Sequence, residues 1–353
     1  MPATAEAALL KLACDGDPDA FSELAQVYRA ELHAHCYRML GSVHDAEDAL
    51  QEALLRAWRG LPRFEGRGPV RSWLYAIATN AALDSARHRS RRELPVDFSP
   101  PADQGTELDP PPPGPAWLEP YPDKWLASGP PLSPEARYEQ RESVELAFMI
   151  ALQHLPPMQR AVLLLREVVG LSTTEISAQL GRSAPSVNSA LQRARATMRS
   201  RLPARSQQSE LSTLGEQRTR AIVERYAAAF EQADIDRLVS MLTEAASWSM
   251  PPVPTWFCGR EAVREFLVRG PLTERWKHRS TRANGQLAVG CYLFRRSDNG
   301  FVPAVLDVLA LEGEKISAVT AFLAAETLPP PHSSARVTGA DLFARFGLPA
   351  TLA

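Results

Sequence analysis

Seven polar side chains share one side of the stretch "GRSAPSVNSALQRARATMRSRL" (residues 181–202): Ser186, Asn188, Ser189, Gln192, Arg193, Arg195 and Arg199. The other side is Val187, Ala190, Leu191, Ala194 and Met198, spaced as one apolar stripe of a helix. Short hydroxyl and amide groups can read base edges, and arginines can grip guanine or phosphate. The chemistry on offer is therefore recognition of a nucleic acid, with Arg182 and Ser183 at the entry to the helix. A solvated basic face is the plain alternative for a stretch of this kind taken alone.

Three more sets of residues could do chemistry. Phe64 and Trp73 flank a Gly/Pro loop (66–69) that includes Arg67, followed by Arg71, Asn80, Asp84 and Arg87 and by the cluster "RHRSRR". Aromatic rings beside arginines suit single-stranded DNA, and a loop beside them could receive a base turned out of the duplex. Upstream, "HDAEDALQE" carries an acidic-polar face of Asp48, Gln51 and Glu52, with Glu47 and Arg56 close by. Far downstream, His278 and Asp307 are the candidates for a proton-transfer pair. His278 lies in "ERWKHRSTR" and is expected to be exposed. Asp307 shares a strand face with Val305 and Leu309 and is expected to point inward.

These residues need elements to hold them. Ser183 reads as an N-cap and Pro185 falls in the first turn, where a missing N–H is tolerated. "LSTTEISAQLG" precedes it, with Ser172 and Glu175 spaced as a capping box and Gly181 as a stop. Two short helices about a tight turn make a helix-turn-helix, whose second helix enters the major groove. "AEDALQEALLRAWRGL" puts Ala46, Ala49, Leu50, Ala53, Leu54, Ala57, Trp58 and Leu61 on a face opposite the acidic one, so Trp58 reads as core. From Glu216 onward, helices are followed by "QLAVGCYLF", "FVPAVLDVLALEG" and "KISAVTAFLA", which read as strands of an α+β domain with an antiparallel sheet.

The 353 residues allow about two or three domains at roughly 150 residues each. A formal net charge of −2 points to no anionic partner, so the local patches carry the argument. No run is long and apolar enough to span a bilayer, and the N-terminus lacks a signal core, so a cytoplasmic location is expected. Cys14, Cys36, Cys258 and Cys291 show no zinc-ligand spacing; no metal and no cofactor is expected. Prolines are concentrated between Leu94 and Pro134, which reads as an extended linker. Within it, Trp117, Leu118, Tyr121, Trp125 and Leu126 are too apolar for a solvated tether and are expected to dock, on the C-terminal cone and its "FARFGL" tail.

"DAEDALQEALLRAWRGLPRF", "SWLYAIATNAALDSAR" and "GRSAPSVNSALQRARATMR" resemble regions 2 and 4 of extracytoplasmic-function sigma factors, in the right order, over roughly residues 5–203. The linker "WLEPYPDKWL" and the following α+β domain resemble the subgroup with a SnoaL-like C-terminal extension. The resemblance implies two all-α sigma domains at 1–94 and 135–204, a Pro-rich linker at 95–134, a SnoaL-like cone at 216–328 and a tail at 329–353. It implies core RNA polymerase as partner, through the β′ clamp helices and the β flap, with Asp48, Gln51 and Glu52 meeting the clamp. Phe64, Arg67, Arg71, Trp73, Asn80 and Arg87 would melt and hold the −10 element. Arg182, Ser183, Ser186, Asn188, Ser189 and Arg193 would read the −35 element. Asn188 and Ala190 depart from the commoner family pattern, where basic residues are frequent. The cone would act in cis, in place of a separate anti-sigma partner, and its pocket could bind a small ligand.

Three functions fit the sequence: a polymerase specificity factor, a one-component ligand-responsive DNA-binding regulator, and a SnoaL-like enzyme fused to a DNA-binding module. The acidic face and the melting-type loop favour the first, because a simple repressor needs neither. Relatives of the cone include polyketide cyclases that use an Asp/His pair, but the spacing of His278 and Asp307 guarantees no such pair, and no catalytic residue is assigned.

Overall fold

The computed structural model describes residues 3–66, 68–87, 91–111, 116–126, 134–328 and 337–352. They divide into two compact units. One comprises Met1–Arg92 and Lys124–Pro203, the other Glu93–Asp123 and Ala204–Ala353.

In chain order the helices are α1 (Ala3–Cys14), α2 (Pro18–Leu40), α3 (Val43–Gly60), α4 (Val70–Ala86), α5 (Pro95–Phe98), α6 (Asp123–Leu126), α7 (Pro134–Glu142), α8 (Leu146–Gln153), α9 (Pro157–Glu167), α10 (Thr173–Leu180), α11 (Ala184–Arg201), α12 (Gln207–Glu231), α13 (Ile235–Ser240), α14 (Arg260–Arg269) and α15 (Gly339–Arg345). In the first unit α2, α3 and α4 pack together, with Leu32, Cys36, Leu50, Ala53, Ala78 and Ala82 buried between them. The alanines let the helix axes approach closely. Ser42 starts α3 by accepting the Asp45 N–H at 3.1 Å. Trp58 packs against Phe21 with ring centroids 5.2 Å apart but is only half-buried, at the edge of the core rather than within it.

The first four helices and residues 134–203 fall in that one unit. Buried Arg160 is the joint. Its Nε donates to Leu152 O at 2.9 Å and its Nη2 to Gln153 O and Leu155 O, both at 3.1 Å, while Nη1 donates to Met39 O. Burial lowers this guanidinium to about 10. Arg38 reaches across in return, Nε to Ser143 O at 3.2 Å.

In the second unit, among the described residues, six strands form one mixed sheet: β1 (Leu242–Ser249), β2 (Trp256–Cys258), β3 (Trp276–Ala283), β4 (Gln286–Arg295), β5 (Gly300–Glu312) and β6 (Lys315–Leu323). The order is β2-β1-β6-β5-β4-β3, antiparallel except for the β1–β6 pair. α12 lies on the sheet and buries Ile222, Tyr226 and Phe230 against Trp248, Leu309 and Leu311. β3 and β4 are joined by Asn284-Gly285, with φ of 54° and 70°. Both values are left-handed, which is why an Asn-Gly pair occupies this two-residue hairpin.

Several expectations need correction. The described residues 93–111 and 116–123 are not a free tether. Leu118 and Tyr121 are buried, Asn284 N–H donates to Tyr121 O at 2.8 Å, and Gly285 N–H donates to Asp123 Oδ1 at 2.8 Å. This extended segment has few internal partners for its own backbone, so its N–H and C=O groups pair with the hairpin. Trp125 belongs with the first unit instead, edge-on to His33 at 5.3 Å. The second unit starts before Glu216: Gln207 Oε1 accepts Leu311 N–H at 2.7 Å, and α12 passes a non-helical Gly215. The tail closes the sheet, with Phe343 buried edge-on to Tyr292 at 4.8 Å and Leu352 paired to Phe301.

Candidate nucleic-acid interface

α10 begins with the expected reciprocal cap. Ser172 N–H donates to Glu175 Oε2 at 2.8 Å, and Glu175 N–H donates to Ser172 Oγ at 3.2 Å. Gly181 ends it with φ 60°. Ser183 then starts α11 by accepting the Ser186 N–H at 3.4 Å. Val187, Ala190, Leu191, Ala194 and Met198 are buried, which turns Arg182, Ser186, Asn188, Ser189 and Arg193 outward. Asn188 Oδ1 accepts the Thr173 hydroxyl at 3.3 Å, so its side chain is anchored to the preceding helix. Arg195 is paired with Glu167.

Phe64 and Trp73 lie with ring centroids 5.1 Å apart, half-buried. They line a cleft of about 470 Å³ with Gly68, Pro69, Glu175 and Gln179. Gly66 has φ 66°, which lets the loop turn sharply before α4. Gln179 Nε2 donates to Ser72 O at 3.0 Å, so α10 forms one wall of that cleft. Asn80 on α4 and Arg87 at its C-terminal cap are exposed, and Arg87 lies 3.4 Å from Asp84. Arg71 is engaged elsewhere. Its Nε and Nη2 donate to Glu31 Oε2 at 3.0 and 2.9 Å, and its guanidinium lies 4.9 Å from the Tyr75 ring centre. It is a structural ion pair, a role the one-dimensional pattern does not reveal. Arg67 and residues 88–90 of the arginine cluster lie outside the described residues.

Asp48, Gln51 and Glu52 are exposed on α3. Glu52 pairs with Arg56 at 2.7 Å, and Arg56 with Asp84 at 2.9 Å. Leu55, 51 % exposed, completes this face. Its i+7 spacing from Asp48 was the available signal, an apolar residue on the wrong side of an amphipathic helix.

The cone interior differs from expectation in one respect. His278 is buried, not exposed: strand alternation turns it inward from a polar-looking segment. Its N–H donates to Glu231 Oε1 at 2.8 Å, and burial lowers the imidazole to about 4. Asp307 is buried too. Its Oδ2 accepts the Tyr226 hydroxyl at 2.8 Å and the Cys291 thiol at 3.2 Å; burial raises the carboxyl to about 6 against those two hydrogen bonds. Tyr226 and Cys291 are partners that sequence reasoning missed. Asp307 and His278 line one cavity.

Comparison with known proteins places these surfaces in context. Sigma-70 region 2 matches residues 24–92, Sigma-70 region 4 residues 145–198, and a SnoaL-like domain residues 223–319. The chain is 41% identical over 336 residues to the ECF RNA polymerase sigma factor SigG of Mycobacterium tuberculosis, covering 94% of this chain and 85% of that one. It is 33% identical over 189 residues to the ECF RNA polymerase sigma factor SigW of Bacillus subtilis, covering 53% of this chain and 91% of that one. The crystal structure of the Mycobacterium tuberculosis extracytoplasmic function sigma factor SigJ superimposes with a TM-score of 0.55 at 20% identity, over 86% of this chain and 96% of that one, a likeness of fold.

Proposed function

The chain belongs to the extracytoplasmic-function RNA polymerase sigma factors, and on that premise we propose which of its surfaces do the work and how the cone governs them. It binds core RNA polymerase and directs promoter-specific initiation; it is a transcription factor and not an enzyme.

The outward face of α11, with Arg182, Ser183, Ser186, Asn188, Ser189 and Arg193, reads the −35 element. Short side chains near the helix N-terminus reach base edges, and the arginines also reach phosphate. Phe64, Trp73, Asn80 and Arg87 hold the −10 element, with Arg67 on the connecting loop. Arg71 serves this site indirectly, since Glu31 holds its guanidinium and fixes the start of α4. Asp48, Gln51, Glu52 and Leu55 meet the polymerase clamp, and region 4 meets the flap. The protein acts in the cytoplasm, where its polymerase is.

The cone acts in cis, in the place of a separate anti-sigma partner. The observation that carries this is the seating of Tyr121, from the segment between regions 2 and 4, on the hairpin of the SnoaL-like domain, with Leu118 of the same segment also buried. A tethered partner acts at an effective concentration near millimolar, so a small interface suffices. Run-off transcription with core polymerase tests it, comparing the wild type with a Leu118→Arg/Tyr121→Ala double variant that unseats the segment. A change of several-fold in yield is expected. Equal yields, with equal binding to core, overturn control by this route.

A further inference from the structure

Beside Arg160, within the first unit, lies an open cleft of about 400 Å³. Its walls are helix ends: Met39 and Leu40 of α2, Asp45 of α3, Ala86 of α4, and the turn from Gln153 to Pro157 that joins α8 to α9. Three guanidiniums line it, those of Arg91, Arg92 and Arg160, against one carboxylate, Asp45. Arg92 holds that carboxylate in an ion pair. Arg160 is 5 % exposed, and among the described residues it meets main-chain carbonyls and no carboxylate. Burial first and the nearby charge of Arg91 second lower its guanidinium to about 10. A carbonyl offers a dipole but no counter-charge, so a buried cation held this way is left electrostatically unbalanced. Arg91 donates to His154 Nδ1 at 2.8 Å, and a neutral imidazole adds no negative charge. α9 starts in the same wall, at Pro156 and Pro157. No side chain caps it, so the N–H groups of its first turn are open and its positive end adds to the field of the cleft.

We propose that this cleft binds a doubly charged phosphate, free or as the terminal phosphate of a small ester, seated between Arg91 and Arg160 at the start of α9. The charge of the walls decides the class. Arg92 and Asp45 offset each other, which leaves the charges of Arg91 and Arg160 for a guest. A dianion balances them and a monoanion does not. A phosphodiester, as in a DNA backbone, carries one charge, whereas a terminal phosphate carries close to two above its second pKa of about 6. Geometry agrees with charge. A guanidinium is a planar fork that matches two phosphate oxygens, and a helix start supplies further N–H donors. Both region 2 and region 4 contribute walls, so the occupant adds to the contacts of Arg38 and Arg160 that join them.

Methyl NMR of the full-length protein at about pH 8 and constant ionic strength tests the proposal. The Met39 and Ala86 methyls report on the cleft, and Met241 and Met250, in the core of the second unit, serve as controls. The probes are methyl phosphate, dimethyl phosphate and malonate. Methyl phosphate is expected to shift Met39 and Ala86 saturably and to leave the controls still, with a dissociation constant of about 1 mM. Dimethyl phosphate keeps the shape with one charge and is expected to bind at least about tenfold more weakly. Malonate has two charges but on separate carboxylates, and is expected to bind several-fold more weakly. Arg91→Gln, at an exposed position, is expected to weaken methyl phosphate binding about tenfold while the control methyls report an intact fold. No saturation up to about 100 mM, or unchanged affinity in a folded Arg91→Gln protein, overturns the proposal. Equal binding of dimethyl phosphate also overturns it, since the cleft would then read the single charge of a DNA backbone; equal binding of malonate overturns the choice of phosphate. Transcription is not part of this readout, so failure leaves the sigma assignment standing.

Discussion

Tyr121 and Asn284 hold each other through two hydrogen bonds, Tyr121 N–H to Asn284 Oδ1 and Asn284 N–H to Tyr121 O, both 2.8 Å. One residue lies in the proline-rich segment and the other in a hairpin turn 163 positions later. Asn284 does two things here. It supplies an acceptor, and it accepts a left-handed backbone, φ 54°. Substitution by glycine should remove the first alone and cost about 1–2 kcal/mol, the penalty of an unpaired buried N–H. Alanine should cost roughly 1 kcal/mol more, because its Cβ resists that backbone. Urea unfolding of the full chain ranks the two variants, and limited proteolysis within 93–123 should rise in both. If alanine is no worse than glycine, the turn conformation does not control the clasp.

Arg193→Ala should weaken −35 binding by about 1–3 kcal/mol if the side chain grips a base edge, with loss of preference at that base pair. A phosphate contact would instead give a smaller, sequence-independent loss and a lower salt slope. Fluorescence anisotropy of a −35 duplex at two salt concentrations distinguishes these outcomes. Unchanged affinity removes Arg193 from the interface.

Asp48→Lys/Glu52→Lys should abolish capture of core polymerase while leaving the circular dichroism unchanged, since both residues are exposed on α3. Leu55→Ala, on the same face, should weaken capture by about 1 kcal/mol through lost apolar contact. A double variant that still captures core normally would show that this face is not the contact.

Arg160→Met should destabilise the first unit by about 3 kcal/mol, because carbonyls that the guanidinium satisfied lose their donor in a buried place. Loss of the Met39 contact should also let region 4 separate from region 2. Small-angle scattering of the folded variant should then give a larger radius of gyration than wild type. An unchanged radius would mean the remaining contacts suffice.

Two buried groups pull the acid stability of the second unit in opposite directions. Asp307 rises from 3.8 to about 6, so its contribution is complete below 3.8 and is lost as pH rises through 6. His278 falls from 6.5 to about 4, so its contribution is complete above 6.5 and is lost as pH falls through 4. Between pH 4 and 6 the slopes oppose. Asp307→Asn leaves His278 alone, so the difference in urea midpoint between variant and wild type should grow in the variant's favour from pH 4 to 6. His35 titrates in both proteins and drops out of that difference. Parallel profiles would show that burial does not shift the Asp307 carboxyl.

The sequence by itself determined what depends on near neighbours. Ser172 and Glu175, three apart, fix a cap; Gly181 fixes a left-handed stop; and the Val187 stripe decides which way Arg193 faces. The same local logic made the acidic face of α3 legible. Tertiary structure decided the rest. Arg71 carries its charge like its neighbours, yet only folding brings Glu31, 40 positions earlier, to its guanidinium. His278 sits among charged residues that predict exposure, but strand alternation and the cover of α12 bury it. The proline-rich segment had no periodicity to read, because its partners are a turn 163 residues away. Local patterns report the energetics of a single element facing an averaged solvent. Partner identity is a property of distant segments brought together, and it becomes visible only when the chain has closed on itself.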